Sequence, residues 1–171
     1  MVPCSRRVAA ALLAAALPAA PPGAKAALGD AHEFCLQLLD RESGKIVWRG
    51  AFPAAEWVRL AYEHSLYRVP QEEIYVMSDD GLALSEMRFG SYDALSYYDP
   101  DPRPGSIRSD GTDWWMTAPS GRPIPPASFR VGHTTNHRII VSETEVEVAA
   151  LVPPGEVAVL SASTTTEGCE R

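Results

Sequence analysis

"EWVRLAYEHSLYRVPQEEIYVMSDDGLALSEMRF", residues 56–89, decides the fold. Residues 56–64 alternate apolar and polar side chains with a period of two, the pattern of a half-buried strand. Residues 72–77 form the next such run, Ser-Asp-Asp-Gly at 78–81 is a turn signal, and 82–89 form another. The stretch therefore predicts consecutive antiparallel strands rather than a helix.

The alternation also predicts a register. Val58, Leu60, Tyr62 and His64 share one face of their strand, and Glu72, Ile74 and Val76 share a face of the next. Pairing His64 with Glu72 sets Tyr62 against Ile74 and Leu60 against Val76, so apolar meets apolar. A three-residue loop with Gly81 in the left-handed position then pairs Ser78 with Leu82, Val76 with Leu84, Ile74 with Glu86 and Glu72 with Arg88. A two-residue loop would instead put Glu73 opposite Glu86, two like charges. The expected outcome is His64, Glu72 and Arg88, with Glu86 nearby, at one end of a three-stranded sheet. Arg88 offers Glu72 a bidentate partner, and His64 can hydrogen-bond the same carboxylate. Ser65 and the 65–71 loop, stiffened by Pro70, add donors. The same cluster equally suits a structural role, fixing the register of the strand ends.

Working outward, "EFCLQLLD" (33–40) and "KIVWRG" (45–50) read as a first hairpin across the turn "RESG". "DWWMTA" (113–118), "HRIIVS" (137–142), "EVEVAAL" (145–151) and "EVAVLSA" (156–162) read as later strands. Eight or nine short strands predict an all-β fold, a single antiparallel β-sandwich or barrel-like domain. No segment after residue 26 offers three turns of helical periodicity. The Pro-, Gly- and Asp-rich stretches 97–111 and 119–128 cannot sit in central strands and read as long surface loops. Tyr97, Tyr98, Trp114 and Trp115 beside them are candidates to line a groove or to anchor those loops.

Residues 1–26 have the layout of a signal peptide: Arg6 and Arg7, a short apolar run from Val8 to Leu17, and Ala24-Lys25-Ala26 as a cleavage site. The run is too short to span a membrane, which takes about 20 apolar residues. The expected organisation is a signal peptide (1–26), a β-domain (27–163) and a C-terminal tail (164–171), with a periplasmic location and no membrane span after cleavage. Loss of Arg6, Arg7 and Lys25 takes the formal net charge from −7 to −10. Such an acidic chain is a poor partner for nucleic acid or an anionic membrane. Of the three cysteines, Cys4 leaves with the signal. Cys35 and Cys169 remain as a candidate disulfide in an oxidising compartment, or as two separate thiols.

Other chemistry is thinly represented. His64 and Ser65 are adjacent and point to opposite faces of a strand, which disfavours a Ser–His nucleophile pair. His133 and His137 would share a helical face and hold a metal, but Gly132, Thr134, Thr135 and the following Ile-Ile-Val point to a turn and a strand. The acidic stretch "DPDPRPGSIRSDG" lacks calcium-loop spacing. Gly-x-Ser-x-Gly, Cys-x-x-Cys and phosphate-cradling glycine motifs are missing, so no catalytic residue, metal or cofactor is assigned.

"YEHSLYRVPQEEIYVMSDDGLALSEMRFGSY" resembles the signature block of an exported family known as domain of unknown function 1850. The matching positions are His64-Ser65, Pro70, Glu72-Glu73 and Arg88-Phe89, with "RVGHTTNHRIIV" similar to a later His-rich strand. The chain departs from that pattern after Phe89, where Asp93 and Leu95 stand in place of a Gly-Ala-Gly stretch. The resemblance implies an envelope accessory to a TAXI-type TRAP transporter, with the permease or the solute-binding protein as partner, and the first expectation is a non-enzymatic periplasmic module. The alternative expectation is a periplasmic domain that binds a small ligand or metal through His64, Glu72 and Arg88. In either case the candidate binding residues are His64, Ser65, Glu72, Glu73, Glu86 and Arg88.

Overall fold

Apolar residues recur at every second position from Phe34 to Leu38, and this segment is the middle of a sheet. The computed structural model describes residues 33–53, 56–78, 81–118, 127–163 and 169, all within one compact unit, 31–171. The signal peptide assigned to 1–26 lies outside the described residues, as does the tail apart from Cys169. No helix among the described residues is long and apolar enough to cross a membrane.

The elements in chain order are β1 (Glu33–Asp40), β2 (Ile46–Pro53), β3 (Val58–Glu63), β4 (Pro70–Ser78), β5 (Gly81–Phe89), α1 (Tyr92–Tyr98), β6 (Ile107–Ser109) and β7 (Trp114–Thr117). They continue with β8 (Ala127–Arg130), β9 (Arg138–Val141), β10 (Thr144–Glu147), a short 3-10 turn (Val148–Ala150) and β11 (Val157–Ser163). Four strands form one sheet in the order β2-β1-β11-β8, and seven form another in the order β10-β9-β3-β4-β5-β7-β6. The architecture is an all-β sandwich. Phe34, Leu36, Leu38 and Leu160 from the smaller sheet pack against Val58, Leu60, Tyr75, Ile139 and Val141 from the larger, every one of them nearly or fully buried. Removing this much apolar surface from water is the main force holding the sheets together.

The smaller sheet does not cover the whole inner face of the larger. Over β5 and β7 the cover is α1, whose Ala94 and Leu95 pack on Met87, Phe89 and Met116 in a second core. Two strands and this helix were not expected from the sequence. The helix is two turns long, too short to show a period. It starts because Ser91 Oγ accepts the N–H of Ala94 at 3.2 Å, with Asp93 in the first turn. The strands β6 and β8 are short and occupy stretches read as loops, held as edges of the two sheets.

The expected β3–β4 register is corrected throughout, and the expected β4–β5 register only next to its turn. Between β3 and β4, Glu72 faces Ala61, Gln71 faces Tyr62 and Glu73 faces Leu60. This differs from the expected pairing by an odd number of residues, so inward and outward side chains exchange. The cause is the loop. His64 N–H donates to the Val69 carbonyl and Arg68 N–H to the His64 carbonyl, both at 2.8 Å, with Arg68 at a φ of 57°. That tight turn withdraws His64 from the strand.

Between β4 and β5 the two registers considered from the sequence both occur. Next to the turn Ser78 pairs with Gly81, Met77 with Leu82 and Tyr75 with Leu84, the two-residue-loop register. A bulge at Ser85 then shifts the pairing, so Ile74 faces Glu86 and Glu72 faces Arg88 as expected. Glu73 therefore meets Met87 instead of Glu86. The like-charge clash is avoided by the bulge and not by the length of the loop. Residues 79 and 80 themselves lie outside the described residues.

Candidate functional site

The exchanged faces of β4 split the expected cluster in two. Glu72, Glu86 and Arg88 point to the outer face of the larger sheet. There Arg88 Nη1 lies 3.1 Å from Glu72 Oε1, and Arg88 Nη2 donates to Asp113 Oδ2 at 2.6 Å. The Asp113 hydrogen bond raises the Arg88 pKa further above its ordinary value. Glu86 pairs with Arg108 at 3.2 Å, and Arg108 and Arg88 lie over the ring of Trp115 at 4.4 and 5.7 Å. Asp113 is placed by a turn in which Asp110 accepts the N–H groups of Thr112 and Asp113, which pull the Asp110 pKa down to about 2. This face is a ladder of paired charges bracing adjacent strands.

His64 and Ser65 lie away from that ladder. Nδ1 of His64 accepts the N–H groups of Leu66 and Tyr67 at 3.2 and 3.3 Å, and its ring packs on Tyr67 and edge-on to Tyr97. With Glu73, these two residues line a cavity of about 600 Å³ at the inner face of the larger sheet. The cavity opens where the smaller sheet stops and α1 begins, so its walls are Phe129 of β8 on one side and Tyr97 and Tyr98 of α1 on the other.

Glu73 is the charged centre of the cavity. Alternation along β4 turns Gln71, Glu73 and Tyr75 inward together. Oε1 of Glu73 accepts the Tyr62 hydroxyl at 2.9 Å, and Oε2 accepts the Tyr75 hydroxyl in a short hydrogen bond. Burial, reinforced by the Glu73 charge, pushes both tyrosines far above their ordinary pKa, so they act as neutral donors. Tyr98 is raised for the same two reasons. Gln71 is 3% exposed, and its Oε1 is buried without a partner among the described residues.

One side of the cavity is aromatic. The His137 imidazole is stacked between Tyr62 at 5.0 Å and Phe129 at 4.9 Å, with Nδ1 2.9 Å from Thr135 Oγ1. Burial lowers its pKa to about 4, which leaves the ring neutral near neutral pH. His133 is on the preceding bend and His137 directly precedes β9, so the two do not share a helical face. Among the described residues no group of three metal-ligating side chains comes together.

Cys35 and Cys169 are joined in a disulfide with a Cα–Cα distance of 5.7 Å. It ties the last described residue to the middle of the smaller sheet. Alternation turns Cys35 away from the core, yet it is completely buried.

Tyr62, Gln71, Phe129 and His137 were not assigned to a site from the sequence. For Tyr62, Gln71 and His137 the signal is a polar group at an inward position, as where Gln71 and Glu73 share the face of β4 that carries Tyr75; Phe129 carries no such signal. Reading it required the register of β3 and β4.

No curated protein and no solved structure matches the chain. A family profile described as "Domain of unknown function (DUF1850)" matches residues 58–148, which hold all seven strands of the larger sheet, α1, β8 and every described residue lining the cavity. The chain belongs to the DUF1850 family.

Proposed function

We propose that this chain is a non-enzymatic periplasmic module that binds a small ligand and serves a TRAP-type (TAXI) transporter as an accessory. The observation that carries the binding reading is the cavity itself. Its volume of about 600 Å³ suits a small molecule, and it combines aromatic walls with a few converging polar groups. Glu73 is held in place by two tyrosine hydroxyls before any ligand arrives, which is the preorganisation that recognition needs. The residues are those of binding more than of covalent chemistry: His64 Nδ1 is taken up by its own loop, and His137 by Thr135. The cavity replaces the His64, Glu72 and Arg88 cluster as the binding site, since only His64 of those three reaches it.

The transporter setting rests on the resemblance to an exported family, and export rests on the N-terminal sequence pattern. Native mass spectrometry of the protein with amines, carboxylates and sugars tests the binding reading; adducts from none of the three classes would remove it. Crosslinking followed by copurification tests the setting. Capture of the permease or the solute-binding protein is expected, and repeated failure to capture either would end that part of the reading.

A further inference from the structure

We infer that the cavity takes an organic cation, namely a primary ammonium group carried on an apolar or aromatic body of modest size. The inference rests on the cavity being a ligand site and names the class of ligand. Three features converge on it.

Charge comes first. The groups that hold Glu73 are neutral hydroxyls, which stabilise a carboxylate without cancelling its charge. The cations near the cavity are committed elsewhere. Arg68 Nε lies 2.6 Å from Glu63 Oε1, and Arg68 Nη1 donates to Thr134 at 3.1 Å. Arg130, at the rim, donates to the Gly155 carbonyl in a short hydrogen bond, and its positive charge acts on the Glu156 carboxylate. A carboxylate ligand would meet Glu73 with no cation among the described lining residues free to offset the repulsion.

The second feature selects a donor. Gln71 Oε1 is an acceptor in a nearly sealed position with no hydrogen-bond partner among the described residues, and Gln71 lines the cavity. Leaving such an atom unpaired costs free energy, which a ligand N–H recovers when a turn of the Gln71 side chain brings the atom to the cavity it lines. A primary ammonium carries three N–H donors and can serve Gln71 and Glu73 together. A quaternary ammonium carries none and would leave Gln71 as it is.

The third is the wall. Tyr97 and Tyr98 are 65% and 51% exposed, and with His64 and Phe129 they present aromatic surface around the carboxylate. Rings of this kind attract a cation and shelter an apolar body.

The test is calorimetric titration of the full chain, expressed with its N-terminus intact, against four compounds of one shape. Phenethylamine supplies the primary ammonium, phenethyltrimethylammonium the quaternary one, phenethyl alcohol the neutral group and hydrocinnamate the anion. Phenethylamine is expected to bind at least about tenfold more tightly than each of the others. The Glu73→Gln and Gln71→Leu variants are each expected to weaken it about tenfold, while Glu72→Gln on the opposite face leaves it unchanged. Equal or tighter binding of the alcohol or hydrocinnamate overturns the cation assignment and leaves a ligand site of another class. Equal binding of the quaternary compound overturns the role given to Gln71 and with it the primary-ammonium claim. Binding of none of the four at millimolar concentration overturns the cation claim; the wider binding reading then falls only if carboxylates and sugars also give no adducts. Because the four-compound comparison uses the unaltered chain, it decides the question even where Glu73→Gln fails to fold.

Discussion

The Tyr62 hydroxyl donates to Glu73 Oε1 at 2.9 Å, although Tyr62 stands opposite Gln71, not Glu73, in the β3–β4 ladder. A diagonal reach of this kind is open to a long aromatic side chain on a shared sheet face. It places a carboxylate at the junction of the two cores, where an inward glutamate would otherwise lack donors.

Replacing Tyr62 by Phe keeps the ring stacked on His137 and deletes one donor to Glu73. Hydrogen bonds to charged groups contribute about 1.5–3 kcal/mol, and Tyr75 still serves the other oxygen, so a loss near the lower end is expected. Urea unfolding should show a lower midpoint at unchanged slope. Since Tyr62 and Tyr75 share one acceptor, the Tyr62→Phe/Tyr75→Phe pair should not be additive. A loss under about 0.5 kcal/mol for Tyr62→Phe would mean that water replaces the hydroxyl without cost.

The sandwich was legible because the period of two persists through most strands; β1 falls on the eight residues read for it. The register was not legible, because β4 is apolar on both faces. Ile74 and Tyr75 are both buried, so the pattern alone does not say which of them faces the core. The tight 64–69 loop decided it, through a left-handed Arg68 and a histidine accepting backbone N–H groups, neither of which has a reliable sequence signature. The Glu72–Arg88 pair was found because the bulge at Ser85 restores the expected alignment beyond Ile74. Glu73 stood among the candidates by its neighbourhood to Glu72, yet it works on the opposite side of the sheet.

His137 gives the fold a pH dependence. Its folded pKa, lowered by burial to about 4, lies below the roughly 6.5 of an unfolded histidine. Between those values the unfolded chain binds a proton that the native state does not, so stability rises with pH. The contribution is fully present above about pH 6.5, declines on acidification and is gone near pH 4, for a total of up to about 3 kcal/mol. Unfolding midpoints measured across that window should fall steadily in the native protein. His137→Asn puts an amide at the Nδ1 position, keeps a partner for Thr135 and should flatten the profile. An equally steep profile in that variant would assign the dependence to other groups.

Arg88 bridges two carboxylates of low exposure, Glu72 on β4 and Asp113 before β7. Arg88→Ala takes the ion-pair partner from Asp113, which is only 8% exposed, and leaves Glu72 with Arg59 at 3.9 Å. Removing one partner from a buried pair costs about 3–5 kcal/mol. Arg88 itself is a third exposed, so about 1–3 kcal/mol is expected. Arg88→Lys restores the charge but not the fork that reaches both acids, and should recover less than half of the loss. Full recovery by lysine would show that charge alone matters there. Neither change should alter binding in the cavity, which lies across the sheet.

The disulfide closes a loop of 134 residues, nearly the whole described domain. In the chain-entropy treatment a closure of that length restricts the unfolded state by about 5 kcal/mol, and real bonds deliver about 2–4. Cys169→Ser is the cleaner probe, because it leaves the fully buried Cys35 in place and creates no cavity in the smaller sheet. The expected result is a loss of about 2–4 kcal/mol under oxidising conditions, matched by adding reductant to the native protein. Reductant should then have no further effect on the variant. Ligand binding should persist in both states below the unfolding midpoint, since none of the described residues lining the cavity lies in β1 or beside Cys169. A variant as stable as the reduced and the oxidised native protein alike would show that the covalent link contributes nothing to the fold.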